Sequence, residues 1–310
     1  MWLNEGFASY VEYLGLNLTH PEWRDLDNFY VQRMGVMNRD ALETSLPVSR
    51  MVQRSEEINA MFTDIVYDKG AFLIRMMTSF LTNKSFMAGI QNYLKKYQLS
   101  NAKQDFLWQE LTDQAHKYRT LDATLTMKQI MDTWTLQKGY PLVTVERLRN
   151  GTGIGTGGSS NKLRVTQKWF LINPNAKILL NNPNEYAKAK WFVPFTFTTR
   201  SERDFNFEKS CTWLKPNDSQ LLIDLNPNPN PLISDNDDWI IANVKHSGYY
   251  RVNYDKENWN LLSKQLRDDF TLIDPVNRAS LIDDSFNLGK AGLLEQTQFL
   301  DIISYLENET

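Results

Sequence analysis

Two different periods of apolar residues divide the chain. Between Glu5 and about Lys138, apolar positions recur every three to four residues, the spacing of helices that bury one face. Phe72, Leu73, Met76, Met77, Phe80 and Leu81 make one such stripe, and Met127, Ile130, Met131 and Trp134 make another. The second helix is expected to stop at Gly139, with Pro141 just beyond, since Gly tolerates the left-handed residue that closes a helix and Pro cannot continue one. After Pro141 the period falls to two. Val143 and Val145, then Leu163, Val165 and Trp169, then Trp191, Val193, Phe195 and Phe197 alternate with polar neighbours, as in strands with one buried face. Short strands separated by turn-rich segments predict an antiparallel β-sandwich. The Asn-Pro repeat from Asn226 to Pro231 reads as a surface connector, because Pro donates nothing to a central ladder. Trp239–Val244 and Tyr249–Tyr254 read as a hairpin turning near Ser247 and Gly248. Helical spacing resumes at Trp259, Leu262 and Leu266 and continues through Leu281–Leu294 and Phe299–Leu306. Helices, then strands, then helices predict a multidomain α+β chain and not a single βαβ sheet.

Composition narrows the class without naming a function. At 310 residues, 42% hydrophobic and 23% charged, the chain can bury the cores of two or three ordinary domains. A net charge of −3, with no run of like charges, gives no electrostatic case for a nucleic-acid partner. Cys211 is the single cysteine, so no intrachain disulfide can form. No apolar run approaches the ~18 residues of a membrane span, and no basic-then-apolar signal opens the chain. Glycosylation sequons begin at Asn17, Asn83, Asn150, Asn217 and Asn308, against about three or four expected by chance.

Several motifs have ordinary explanations. Gly153-Ile154-Gly155-Thr156-Gly157-Gly158 fits the glycine pattern of a dinucleotide loop, but such a loop must open a helix whose amides face the pyrophosphate. Here the next residues, Lys162 to Phe170, alternate like a strand, which predicts a long hairpin loop. His20, His116 and His246 have no His or Cys at ligand spacing, and His-Glu-x-x-His is absent. Cys211 has no neighbouring His to activate it. Glu5 alone would be an ordinary acidic residue in the first turn of a helix, suited to the macrodipole.

The residues around Glu5 change that reading. Trp2-Leu3-Asn4-Glu5-Gly6-Phe7-Ala8-Ser9-Tyr10, continuing to Tyr13-Leu14-Gly15, resembles the segment around the third zinc ligand of the gluzincin zinc aminopeptidases of the alanyl and glutamyl type. Ile65-Val66-Tyr67-Asp68-Lys69-Gly70-Ala71 resembles that family's I-x-Y-x-K-G-A segment, and Tyr67 stands 62 residues after Glu5, close to the family interval. Three further segments resemble the family in the same order: Ile130 to Pro141, Gly248 to Asp255 and Asn277 to Phe286. Relatives commonly carry Phe-Asp ahead of the I-x-Y segment, whereas here Phe62 is followed by Thr63, with Asp64 shifted by one.

The resemblance implies a domain order: residues 1–139 as the C-terminal helical part of a thermolysin-like catalytic domain, 140–254 as an antiparallel β-sandwich, and 255–310 as the start of an α-helical repeat domain. It implies a zinc-dependent hydrolase that removes N-terminal residues from peptides. Glu5 would be a zinc ligand, Tyr67 the donor to the oxyanion of the tetrahedral intermediate, and Phe62 a residue of the substrate pocket. In that family zinc is held by this Glu and two His, leaves a position open to water, and lowers the water's pKa while a Glu acts as base. The His pair lies on a preceding helix, with roughly eighteen residues between the second His and the ligand Glu, which places it ahead of Met1. The family's G-A-M-E-N segment, which grips the substrate's amino group, is absent too. The chain therefore reads as a fragment whose partners include its own missing N-terminal part and peptide substrates, and which is incompetent alone. The family further implies a glycosylated type II ectoenzyme on the extracellular face of the plasma membrane, often a homodimer. The alternative is a truncated, non-catalytic paralogue that binds peptide or protein.

Overall fold

The computed structural model describes residues 1–148, 162–176, 178, 183–225 and 238–309. The glycine-rich loop at 153–158 and the Asn-Pro connector at 226–231 lie outside the described residues. The chain divides into two compact units: Met1–Tyr140 with Phe207–Cys211 and Ser247–Tyr249, and Pro141–Asn206 with Thr212–His246 and Tyr250–Thr310.

The first unit is helical. Its elements are α1 (Trp2–Thr19), α2 (Asp25–Asp40), α3 (Glu56–Asn59), a π-helical turn at Ile65–Lys69, α4 (Gly70–Leu81), α5 (Asn83–Lys96), α6 (Gln104–Tyr118) and α7 (Met127–Thr135). Every residue of α4 is buried, so its apolar stripe is only the densest part of a central helix. All four residues of the second expected stripe are buried on α7. Thr126 opens α7 with a capping box, accepting from the Gln129 amide while Gln129 accepts from the Thr126 amide. Gly139 adopts φ 72°, the left-handed value that lets the chain turn away after α7. Trp2, Gly6 and Tyr10, four residues apart, form the buried face of α1. Around that face Phe29 stacks on Phe72 at 5.5 Å and meets Tyr13 edge-on at 5.1 Å.

The second unit contains the strands. β1 (Pro141–Leu148) and β2 (Lys162–Trp169) pair antiparallel, with Val145 opposite Val165. On β2, Leu163, Val165, Gln167 and Trp169 are buried, while Lys162, Arg164, Thr166 and Lys168 are not, as the period of two requires. After α8 (Pro183–Lys188) come β3 (Val193–Phe195), β4 (Phe197–Thr199), β5 (Thr212–Leu214), β6 (Leu221–Asp224), β7 (Ile240–Ala242) and β8 (Arg251–Tyr254). Among the described residues the strands form a four-stranded sheet in the order β6-β2-β1-β8 and two-stranded pairs β3-β5 and β4-β7.

Two expectations are corrected here. The strand pairing is not antiparallel throughout, because β8 lies parallel to β1, with Val143 opposite Val252. The hairpin near Ser247 and Gly248 does not form: β7 pairs with β4 and β8 with β1, in different sheets. The cause is local. Asn243, Lys245 and His246 all take positive φ, and the Asn243 side chain donates to the Tyr250 carbonyl. The segment is thus coiled into a 3-10 turn at Val244–His246 instead of a two-residue reversal.

The unit ends in α9 (Lys256–Asp269), α10 (Pro275–Lys290) and α11 (Gln296–Ile303). Asp255 and Asp274 cap α9 and α10 through their side chains, and Pro275 occupies the first turn of α10, where no amide is needed. The result is a mixed helix-and-sheet fold with small sheets and a helical C-terminal region.

Candidate functional site

The site is built where α1 crosses the start of α4, within the first unit. Gly6 and Gly70 allow the crossing. A methyl group at Gly6 would lie 2.9 Å from the Gly70 carbonyl carbon and 3.2 Å from the Ala71 nitrogen, all backbone atoms. Only hydrogen side chains permit such an approach. Trp2 seals one side: it packs against Gly70, donates through Nε1 to Gln104 Oε1 at 2.8 Å, and lies 6.0 Å from the Trp108 ring. Glu5, one residue before the crossing, remains half-buried at its edge.

Tyr67 reaches the same edge from the π-helical turn. The Gly70 amide bonds back to the carbonyls of Ile65 and Tyr67, the five-residue return that inserts an extra residue before α4 begins. Such turns recur at functional sites because they re-aim a side chain without breaking the helix. Ile65 and Val66 face the core, and Tyr67 is left half-buried beside Glu5. Partial desolvation, then the charge and hydrogen bond of the Glu5 carboxylate, raise the Tyr67 hydroxyl above its usual pKa. A neutral phenol keeps its proton for donation. Phe62 stands against it, ring centroids 6.5 Å apart, and is 47% exposed, a surface position and not a core one. The structure therefore brings together Glu5, Tyr67 and Phe62, all three residues singled out in the sequence.

Flanking charges belong to the wall. Arg39 pairs with Asp64, and burial followed by the Asp64 charge raises the Asp68 carboxyl, with Arg39 opposing. Beneath the turn Lys69 and Asp40 form an ion pair with both side chains fully enclosed. Reading the sequence missed this pair and the two glycines. A lone Gly inside a helical pattern is the one signal that could have flagged Gly6; the 29-residue separation of Asp40 from Lys69 carries none.

The donor set for a metal is incomplete. Among the described residues no group of three or more His, Cys, Asp or Glu side chains could hold an ion. Glu5 offers a single carboxylate, a poor ligand set for an ion that prefers nitrogen and sulfur partners. This chain by itself does not fit zinc. The histidines do not supply the deficit: His20 bonds Glu22, His116 the Leu125 carbonyl and His246 the Ser280 hydroxyl. Burial pushes the Cys211 thiol up to about 12, which leaves it un-ionised and unsuited to nucleophilic attack. No helix among the described residues is long and apolar enough to cross a membrane.

Known proteins resemble the chain along its whole length. Residues 1–134 match the Peptidase family M1 domain, and residues 239–310 match the ERAP1-like C-terminal domain. The chain is 35% identical over 313 residues to Aminopeptidase N of Mus musculus, covering 100% of this chain and 29% of that protein. It is 34% identical over 314 residues to the Thyrotropin-releasing hormone-degrading ectoenzyme of Mus musculus, covering 100% and 27%. To the Endoplasmic reticulum aminopeptidase 2 of Bos taurus it is 33% identical over 333 residues, covering 100% and 32%. The chain thus spans about a third or less of the length of these relatives.

Proposed function

Since the chain belongs to the gluzincin aminopeptidase family, with its M1 peptidase and ERAP1-like C-terminal segments in that order, we propose that it is part of a zinc-dependent aminopeptidase acting on the N-terminal residues of peptides. The observation that carries this is the convergence of Glu5, Tyr67 and Phe62 at one half-exposed edge of the first unit.

Each residue has a role suited to its chemistry. Glu5 would give zinc one anionic oxygen ligand, with two imidazoles supplied from outside this chain. Zinc, when bound, supplies a Lewis acid. Tyr67 holds its proton and donates it as a hydrogen bond to the substrate oxygen as that oxygen gains charge, so its contribution is concentrated in the transition state. Phe62 offers an apolar wall to the side chain of the residue being removed. The domain order that accompanies this function is a catalytic helical part over 1–139, a sandwich over 140–254 and the start of a helical repeat over 255–310. We assign the whole protein to the extracellular face of the plasma membrane on the strength of a relative named as an ectoenzyme, and add glycosylation and a homodimer to the same proposal.

The reading is tested in the coding region just upstream of Met1. An in-frame His-Glu-x-x-His whose second His falls roughly nineteen positions before Glu5 supports it. An in-frame stop codon there would leave a zinc-free, non-catalytic protein instead.

A further inference from the structure

Among the described residues of the first unit, Asp40 and Lys69 form an ion pair with no side-chain exposure at either partner. Lys69 Nζ donates to Asp40 Oδ2 at 2.8 Å and to the Gly139 carbonyl at 2.8 Å, and lies 5.2 Å from the Tyr249 ring centre. Asp40 Oδ1 accepts from the Ser45 hydroxyl and from the Gly139 amide at 3.0 Å, while Oδ2 also accepts from the Tyr249 hydroxyl at 3.3 Å. A buried pair so fully bonded is tolerated, but apolar residues of similar volume would hold the same segments together at least as well. Stability alone does not account for the charges. Their bonds are directional, and they fix a position.

That position is the end of the π-helical turn. Lys69 is its last residue, two past Tyr67, and the Gly70 amide that follows bonds to the Tyr67 carbonyl. The turn is thus fastened on one side to the end of α2 through Asp40 and to the segment after α7 through Gly139. We propose that the Asp40–Lys69 pair is a positioning device for the site, anchoring the turn in the core so that the Tyr67 hydroxyl is held beside Glu5. The proposal rests on the reading of Tyr67 as the oxyanion's donor. A turn with the extra residue of a π-helix has slack that a regular helix lacks, and a ~1 Å misplacement of a catalytic group costs about a hundredfold in rate.

The test compares Lys69→Met and the double variant Asp40→Asn/Lys69→Met in the complete zinc-loaded protein, with hydrogen exchange of amides 65–70 followed in the same protein. The single variant strands a buried carboxylate and destabilises the fold; the double removes both charges and keeps the amide bonds that Asn can make. In the double variant we expect near-normal melting and zinc content, kcat reduced roughly ten- to a hundredfold with KM little changed, and faster exchange across residues 65–70. A double variant with the parent's kcat, or with the parent's exchange at 65–70, overturns the proposal. If the unsubstituted complete protein shows no aminopeptidase activity, the reading of Tyr67 fails by itself, and the exchange rates alone still decide whether the pair fastens the turn.

Discussion

Replacing Gly6 with Ala puts the contact that forms the site under direct strain. The added methyl would stand 2.9 Å from the Gly70 carbonyl carbon, 3.1 Å from its Cα and 3.2 Å from the Ala71 nitrogen. All three are backbone atoms of a fully buried helix, so none can swing aside as a side chain could. Overpacking of this kind costs about 1–3 kcal/mol. Ala is the better helix former by about 1 kcal/mol, which offsets part of the strain. The net expectation is a loss of about 0–2 kcal/mol, together with a widened gap between Glu5 and Tyr67. The same helix contains its own control. At Gly15 a methyl would meet nothing within 4 Å, so Gly15→Ala should gain about 0.5–1 kcal/mol from propensity alone. Urea titrations of both variants, read as midpoint shifts at unchanged slope, measure the difference. Equal stabilisation by the two substitutions would show that α1 and α4 do not cross at Gly6, and the geometry argued for the site would fall with it.

The remaining predictions concern other parts of the molecule. Burial, opposed by Arg251 and reinforced by Asp283, raises the Asp284 carboxyl to about 6. The folded state therefore holds that proton more tightly than the unfolded chain, and the stability linked to Asp284 is full below about pH 4 and is lost as pH rises through about 6. Urea midpoints from pH 4 to 7 should fall less steeply in Asp284→Asn than in the unsubstituted chain; parallel profiles would refute the assignment. Asn217 is exposed in a turn closed by the Lys215 amide on Asp218, whereas Ser85 of the Asn83 sequon is buried. In a secreted preparation Asn217→Gln should remove a glycosidase-sensitive gel shift; no change on substitution would exclude glycan at this position.

Much of the fold was legible because burial follows period. The stripes on α4 and α7 and the alternating residues of β2 sit where their spacing predicts, while α7 ends at Thr135, four residues before the stop expected at Gly139, whose left-handed φ turns the chain further on. What escaped was pairing over distance. Trp239–Val244 and Tyr249–Tyr254 look like a hairpin because two apolar runs flank a Ser-Gly pair, but left-handed Asn243, Lys245 and His246 send β8 to a parallel place beside β1. Parallel partners more than a hundred residues apart leave no local mark. The site was legible in part. Glu5, Tyr67 and Phe62 stood out only through motif resemblance, and the structure draws them together. The glycine contact that joins their helices, the π-helical turn and the Asp40–Lys69 pair depend on three-dimensional approach, which composition and spacing do not encode.

The central claim is that Tyr67 donates to an oxyanion in a site completed by Glu5. Its most direct test is Tyr67→Phe in a complete protein that carries the proposed His pair. Phe retains the ring that packs beside Phe62 and removes only the hydroxyl, so folding and zinc content should be unchanged. We expect kcat to fall by about a hundred- to a thousandfold while KM moves little, because the bond is made mainly in the transition state. A Phe variant with the full kcat of the parent would contradict the account and leave Tyr67 as a packed residue at the entrance of α4.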